Sequence, residues 1–254
     1  SVWPRVLIAL VVAVLAIVAV SAAAWALRST ERDTFPVEEQ FDRVEVEVGA
    51  GRVHVEALEN GAAEIVAETE ASLFRAAEVS HSVDDGTLVV SGSCSRGFWL
   101  IDWGGCSTHV TLRVPSDVEV VAHSSAGRVT ASGLTGAADL RSSAGRVEVA
   151  DHTGPLRARS SAGRVEVTGL TSDDAEVSSQ AGSVDVQTLE PPRRLDVSSS
   201  AGSVTVTLPD GVAYAVDAET SAGSTSVEVP TDPSSEYQVN ARSSAGSVTV
   251  RPGS

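Results

Sequence analysis

The sequence predicts an all-β chain, a single-chain parallel β-solenoid (β-helix) with short coils, preceded by one N-terminal transmembrane helix. Three observations predict it. The first is a motif, Ala-Gly preceded by serines and followed by a short valine-rich run. Its glycines stand at Gly127, Gly145, Gly163, Gly182, Gly202, Gly223 and Gly246, with gaps of 18, 18, 19, 20, 21 and 23 residues. A fixed motif at a short, near-fixed period marks a stacked repeat. The second is valine alternation with a period of two, the signature of half-buried strands. The third is a run of 22 uncharged residues, Val6 to Leu27, near the start of the chain.

The N-terminal run comes first in order. At 1.5 Å per residue it extends roughly 33 Å, enough to cross a bilayer core of about 30 Å. Trp3 and Trp25 lie near its ends, where indoles favour the membrane interface. Residues 1–5 are then a cytoplasmic stub and 6–27 a signal-anchor. The alternative is a signal peptide cleaved near Ala24 in Ala22-Ala23-Ala24, giving a secreted protein. Charge does not orient the span, since Arg5 precedes it and Arg28 and Arg32 follow. The only cysteines, Cys94 and Cys106, do: with an export signal they read as one disulfide, which needs the oxidising side. Residues 28 onward are therefore expected outside the cytoplasm, at the cell membrane.

Residues 28–40 are polar, contain Pro36 and read as a tether. From Phe41 the strands begin. Val44, Val46 and Val48 alternate with Glu45 and Glu47, Gly49-Ala50-Gly51 turns the chain, and Val53 and Val55 resume the alternation. This is the later repeat unit in an early copy, so Gly51 joins the corner glycines and the solenoid domain covers 41–252. Its first part, 41–122, is irregular, with strands expected at 63–70, 78–83, 87–92, 109–114 and 118–123 and a turn at Asp84-Asp85-Gly86. Its second part, 123–252, is regular. There Ala138–Ser143 is one strand, Ala144-Gly145 the corner and Arg146–Val149 the next strand. Leu140, Val147 and Val149 should point inward, with Arg146 and Glu148 outward. Two such strands cannot bury their apolar face alone, but successive coils stacked at about 4.8 Å can.

Composition removes several function classes. The formal charge is −16 with no lysine, so a nucleic-acid partner is disfavoured. His54, His81, His109, His123 and His152 show no metal-ligand spacing. No Gly-rich phosphate loop precedes a helix, and no nucleophile–base pair can be named. No cofactor, metal or catalytic residue is expected.

Three features invite a partner. Between the cysteines lie Phe98, Trp99, Leu100, Ile101 and Trp103, in a chain only 4% aromatic. They could anchor a partner, since aromatic side chains dominate binding hot spots, or fold back to cap the solenoid. A disulfide closing this loop is worth about 3 kcal/mol. Arg128, Arg146 and Arg164 share one position in consecutive coils, either a basic stripe for an anionic polymer or a solvated charge ladder offset by Glu148 and Glu166. Serine replaces arginine at Ser183, Ser203, Ser224 and Ser247, which argues against a long groove. The serine rows could face a ligand, but serines at corners usually satisfy backbone groups.

A membrane span followed by strands and repeated Ser-Ser-Ala-Gly-x-Val-x-Val coils resembles the bacterial putative-adhesin family, domains of unknown function built as β-solenoids on cell-envelope proteins. The resemblance covers roughly Phe41 to Arg251 and implies an extracellular, non-enzymatic interaction surface, with no catalytic residue to carry over. The loop between the cysteines is not part of that pattern. The function expected is a membrane-anchored envelope surface for adhesion, contacting cell-wall polymer or another envelope protein. The alternatives are an envelope-stress sensor or regulatory partner of a membrane protein, and a polysaccharide-active enzyme. Three or more carboxylates converging in one groove would favour the enzyme.

Overall fold

The computed structural model describes residues 29–58, 63–71, 77–94 and 106–253. The expected transmembrane helix, 6–27, and the aromatic residues Phe98, Trp99, Leu100, Ile101 and Trp103 lie outside the described residues. Every regular element described is a strand.

The regular coils follow directly from the period of two. In one coil β9 (Ala138–Ala144) runs to the corner and β10 (Val147–Ala150) leaves it. Leu140, Val147 and Val149 are buried, while Arg146 is exposed and Glu148 half-buried. The coil therefore has two sides, one facing sheet per strand. On the first side β7 (Glu119–Ala126), β9, β11 (Leu156–Ala162), β13 (Asp174–Ala181) and β15 (Arg194–Ala201) pair in parallel. On the second, β8 (Val129–Ser132), β10, β12 (Val165–Leu170), β14 (Val184–Thr188) and β16 (Val204–Leu208) do the same. Val129, Val147, Val165, Val184 and Val204 form one inward row. Opposite them, large and small residues interlock: Leu140 stacks on Ala158, while Ala138 stacks on Leu156. Each fully buried Leu or Val contributes about 1.5–3 kcal/mol, and complementary sizes keep the narrow core free of voids.

The stack does not follow chain order at its ends, which corrects the expectation of consecutive parallel coils. The coil of β19 (Gln238–Ala245) and β20 (Val248–Pro252) inserts between that of β15 and β16 and that of β17 (Ala215–Ala222) and β18 (Thr225–Val227). At the other end β2 (Arg43–Leu58) runs unbroken through its corner. It sits between β7–β8 and the coil of β5 (Thr87–Cys94) and β6 (Ser107–Pro115). The first and last solenoid coils of the chain are thus each second from a rod end. A coil placed there makes ladder bonds on both sides, and a chain end that would otherwise fray is tied down. The outermost coil shows the difference: β18 is exposed at every position, whereas β20 is buried at Val248 and Val250.

The N-terminal end is closed by antiparallel strands. β3 (Ala63–Ala71) pairs antiparallel with β6, and β1 (Ser29–Val37) with β3. The segment expected as a tether is therefore mostly this edge strand, with Pro36 tolerated because its outer side needs no donor. Arg32 and Glu68 bridge the pair at 3.1 Å. β4 (Ala77–Asp84) forms a hairpin with β5. Its two-residue turn, Asp85-Gly86, has φ of 46° and 75°, the positive values that match strand twist.

Candidate functional site

The corner decides what this surface can carry. A Cβ on Gly127 would stand 1.7 Å from the Gly51 carbonyl oxygen, and one on Gly145 1.8 Å from that of Gly127. Their φ angles, 143° and 153°, also disfavour any side chain. Gly51, Gly127, Gly145, Gly163, Gly182, Gly202, Gly246 and Gly223 form one stacked row in that spatial order. In five coils the inner serine of the motif completes it. Ser142, Ser160, Ser179, Ser199 and Ser243 donate to the carbonyls of Gly127, Gly145, Gly163, Gly182 and Gly202 at 2.8–2.9 Å. Those hydroxyls are committed to the backbone and face no ligand.

One coil lacks the glycine corner. Thr108 takes the place beside Gly51, and Gly92 lies beside Val48. Between these two register points the next coil has only Gly49-Ala50, whereas this coil has the segment 93–107. The disulfide Cys94–Cys106 closes its base, with the two Cα atoms 6.1 Å apart.

The same corner carries the arginines. The N–H of Val129 donates to the Arg146 carbonyl and that of Val147 to the Arg164 carbonyl, at 2.9 and 3.0 Å, so the three predicted arginines occupy consecutive coils. A fourth was missed. The Val53 N–H donates to the Arg128 carbonyl at 2.9 Å, which puts Arg52 beside Arg128. The signal was present, for Gly51-Arg52-Val53 repeats the triplets at 127–129, 145–147 and 163–165. Beyond Arg52 comes His109, whose Nδ1 accepts from the Arg52 N–H at 3.2 Å. Glu148 serves two arginines, Arg146 at 3.0 Å and Arg128 at 3.7 Å, and Asp185 lies 3.9 Å from Arg164. In the row alongside, His54 Nδ1 and the Thr130 hydroxyl are 2.6 Å apart.

A second charged surface lies on the outside of the other sheet. A 440 Å³ groove there is lined by Arg43, Arg141, Arg157 and Arg194 together with Glu119, Asp139, Asp174, Glu176 and Asp196. Carboxylates do gather, but interleaved with arginine. Asp139 pairs with Arg141 at 2.6 Å, Asp196 with Arg194 at 2.7 Å, and Glu176 with both Arg157 and Arg159. Burial pushes the Glu176 carboxyl up, but the Arg159 and Arg157 guanidinium groups outweigh it and hold the acid below its ordinary value. A general acid needs the opposite shift.

Among the described residues no three His, Cys, Asp or Glu side chains gather to hold a metal ion. His152 is a core residue. It is 1% exposed and stacks between Leu134 and Leu170, and burial drives its pKa down despite the Pro155 carbonyl 3.4 Å away.

A family model described as Toastrack DUF4097 matches residues 41–252. No curated protein matches the chain. Among solved structures, a putative adhesin from Bacteroides fragilis is 14% identical, with 89% of this chain and 97% of that one covered and a TM-score of 0.47. A putative cell adhesion protein from Clostridium sporogenes is 12% identical, covering 89% and 100%, with a TM-score of 0.37. A putative lipid binding protein from Parabacteroides distasonis is 10% identical, covering 89% and 97%, with a TM-score of 0.32.

Proposed function

The chain belongs to the Toastrack DUF4097 family, and from that premise we propose that it is a non-catalytic interaction rod of the cell envelope. Residues 6–27 anchor it in the membrane and the solenoid stands outside the cytoplasm. The paired cysteines support that side, since disulfides persist where the environment is oxidising.

One observation carries the reading. The glycine corners stack in one row, and among the described residues one corner, between Gly92 and Thr108, departs from it to admit an insertion that stacking does not require. That insertion is closed at its base by the disulfide and contains Phe98, Trp99, Leu100, Ile101 and Trp103. A few residues carry most of the energy of a protein interface, and tryptophan is enriched among them. The partner is cell-wall polymer or another envelope protein.

Changing Phe98, Trp99 and Trp103 together to Ser tests this. The full chain should melt at an unchanged temperature and lose binding to isolated cell envelopes. A lowered melting temperature would make the segment a cap of the rod. Co-purification of one membrane protein in stoichiometric amount, with no envelope binding, would instead favour a regulatory partner. Polysaccharide cleavage is the weaker reading, because four of the five carboxylates in the groove are engaged by arginine.

A further inference from the structure

We infer that the corner row Arg52–Arg128–Arg146–Arg164 binds a linear, phosphate-bearing polymer lying along the rod axis, with Arg52 and Arg128 as its strongest positions. This rests on reading the rod as an interaction surface and names the chemistry of one partner.

The argument begins with register. Stacking brings Arg52 beside Arg128, 76 positions away in sequence, and four arginine positions then follow one another at one coil step. Three steps of about 4.8 Å make a line of roughly 14 Å. All four side chains are exposed. In a chain of net charge −16 this row is a local reversal of sign.

The row is not uniform, and its asymmetry chooses the site. Toward Arg164 the neighbouring row on the sheet is acidic, with Glu148, Glu166 and Asp185 in register. Toward Arg52 the same row is Thr111, His54 and Thr130. Arg128 shares its acid with Arg146, at 3.7 Å against 3.0 Å, so its ion pair is the looser of the two. Exposed pairs of this kind contribute little to stability and yield to a better anion. Arginine's planar fork suits phosphate oxygens bidentately, and a row of such forks at fixed spacing favours a polymer over a single ion.

The row also has no structural need of arginine. Ser183, Ser203, Ser247 and Ser224 hold the same place in the remaining coils with the backbone stacked as before. Substitution to serine is therefore a clean test. The full chain in neutral detergent, at low salt, should bind inorganic polyphosphate. Arg52→Ser with Arg128→Ser should weaken that binding about tenfold and flatten its dependence on salt, since fewer counter-ions are released. Arg52→Ser alone should cost about threefold, which keeps the test open if the double variant melts early. Arg194→Ser removes an equal charge from the opposite sheet and should change nothing. Absence of polyphosphate binding by the wild-type chain overturns the inference, as does an equal loss in Arg194→Ser. Either result would leave the aromatic insertion and its envelope-binding assay untouched, so the two readings fail separately.

Discussion

The regular coils from Glu119 to Leu208 and the coils before them are built from the same unit and obey different rules. In the regular part, five inward valines stack in one row and every corner is a glycine held by a serine hydroxyl from the next coil. In the earlier part, one corner is Thr108 beside an insertion, strands turn antiparallel, and β2 sits out of chain order. The regular part spends its residues on stacking, so its surface varies little. The earlier part relaxes the rule between Gly92 and Thr108, where the glycine corner is replaced. Variation at a broken repeat is where this architecture can hold a specific function.

Glycine substitution breaks the comparison most sharply. Gly145→Ala puts a Cβ 1.8 Å from a backbone oxygen, which no rotamer can relieve. The expected loss is about 4 kcal/mol or more, read as failure to fold or as a large fall in denaturation midpoint. Gly49→Ala, at the corner of the earlier coil, meets only the Gly92 carbonyl at 3.9 Å and should be nearly silent. Equal damage at both would mean that the corner row does not carry the stack. Next in size is the disulfide. Cys94→Ser with Cys106→Ser should lower stability by about 3 kcal/mol. Limited proteolysis should then cut first within 95–105 while the regular coils survive. Loss of the whole domain at once would show that the two parts fold as one unit.

Smaller still is the serine pair. Ser160→Ala leaves the Gly145 carbonyl without its 2.8 Å donor and should cost about 1–2 kcal/mol in chemical denaturation. Ser161→Ala, on the exposed side of the same strand, should cost nothing measurable. If the two match, the inner hydroxyl is not holding the corner.

What the sequence made legible follows from what local pattern encodes. Strand positions, inward valines and corner glycines were readable because period and motif are properties of neighbouring residues. Ser160 and its equivalents were readable in role, as small groups satisfying backbone. The exchange of the end coils was not, because β15 could pair with β17 or β19 on identical Ser-Ala-Gly corners. Arg52 stayed hidden for a related reason. Its triplet matched the later ones, but only the insertion of β2 beside β7 and β8 puts it next to Arg128. Ser29–Val37 read as a tether because its partners in β3 lie 26 to 42 residues away, from Val37↔Ala63 to Ser29↔Ala71, and impose the strand from outside.

His152 gives the smallest effect at neutral pH and a sharp test of the core. It occupies a position held by leucine in the coils on either side, with Nδ1 lacking a hydrogen-bond partner. Burial lowers its folded pKa below the ordinary 6.5. As pH falls through 6.5, the unfolded chain takes up a proton that the folded chain resists, so protons are bound preferentially by the unfolded state. The stability this neutral ring permits is complete above 6.5 and is lost as pH falls toward the depressed folded value. One group of this kind changes stability by at most about 1.4 kcal/mol per pH unit. His152→Leu should remove that contribution, leaving a shallower decline between pH 6.5 and 5 in urea denaturation, and should be no less stable than the parent at pH 7.5. An unchanged limb between pH 6.5 and 5 in the variant would mean that His152 does not set it, since Glu176, held below its ordinary 4.5 by Arg159 and Arg157, loses its contribution only at lower pH.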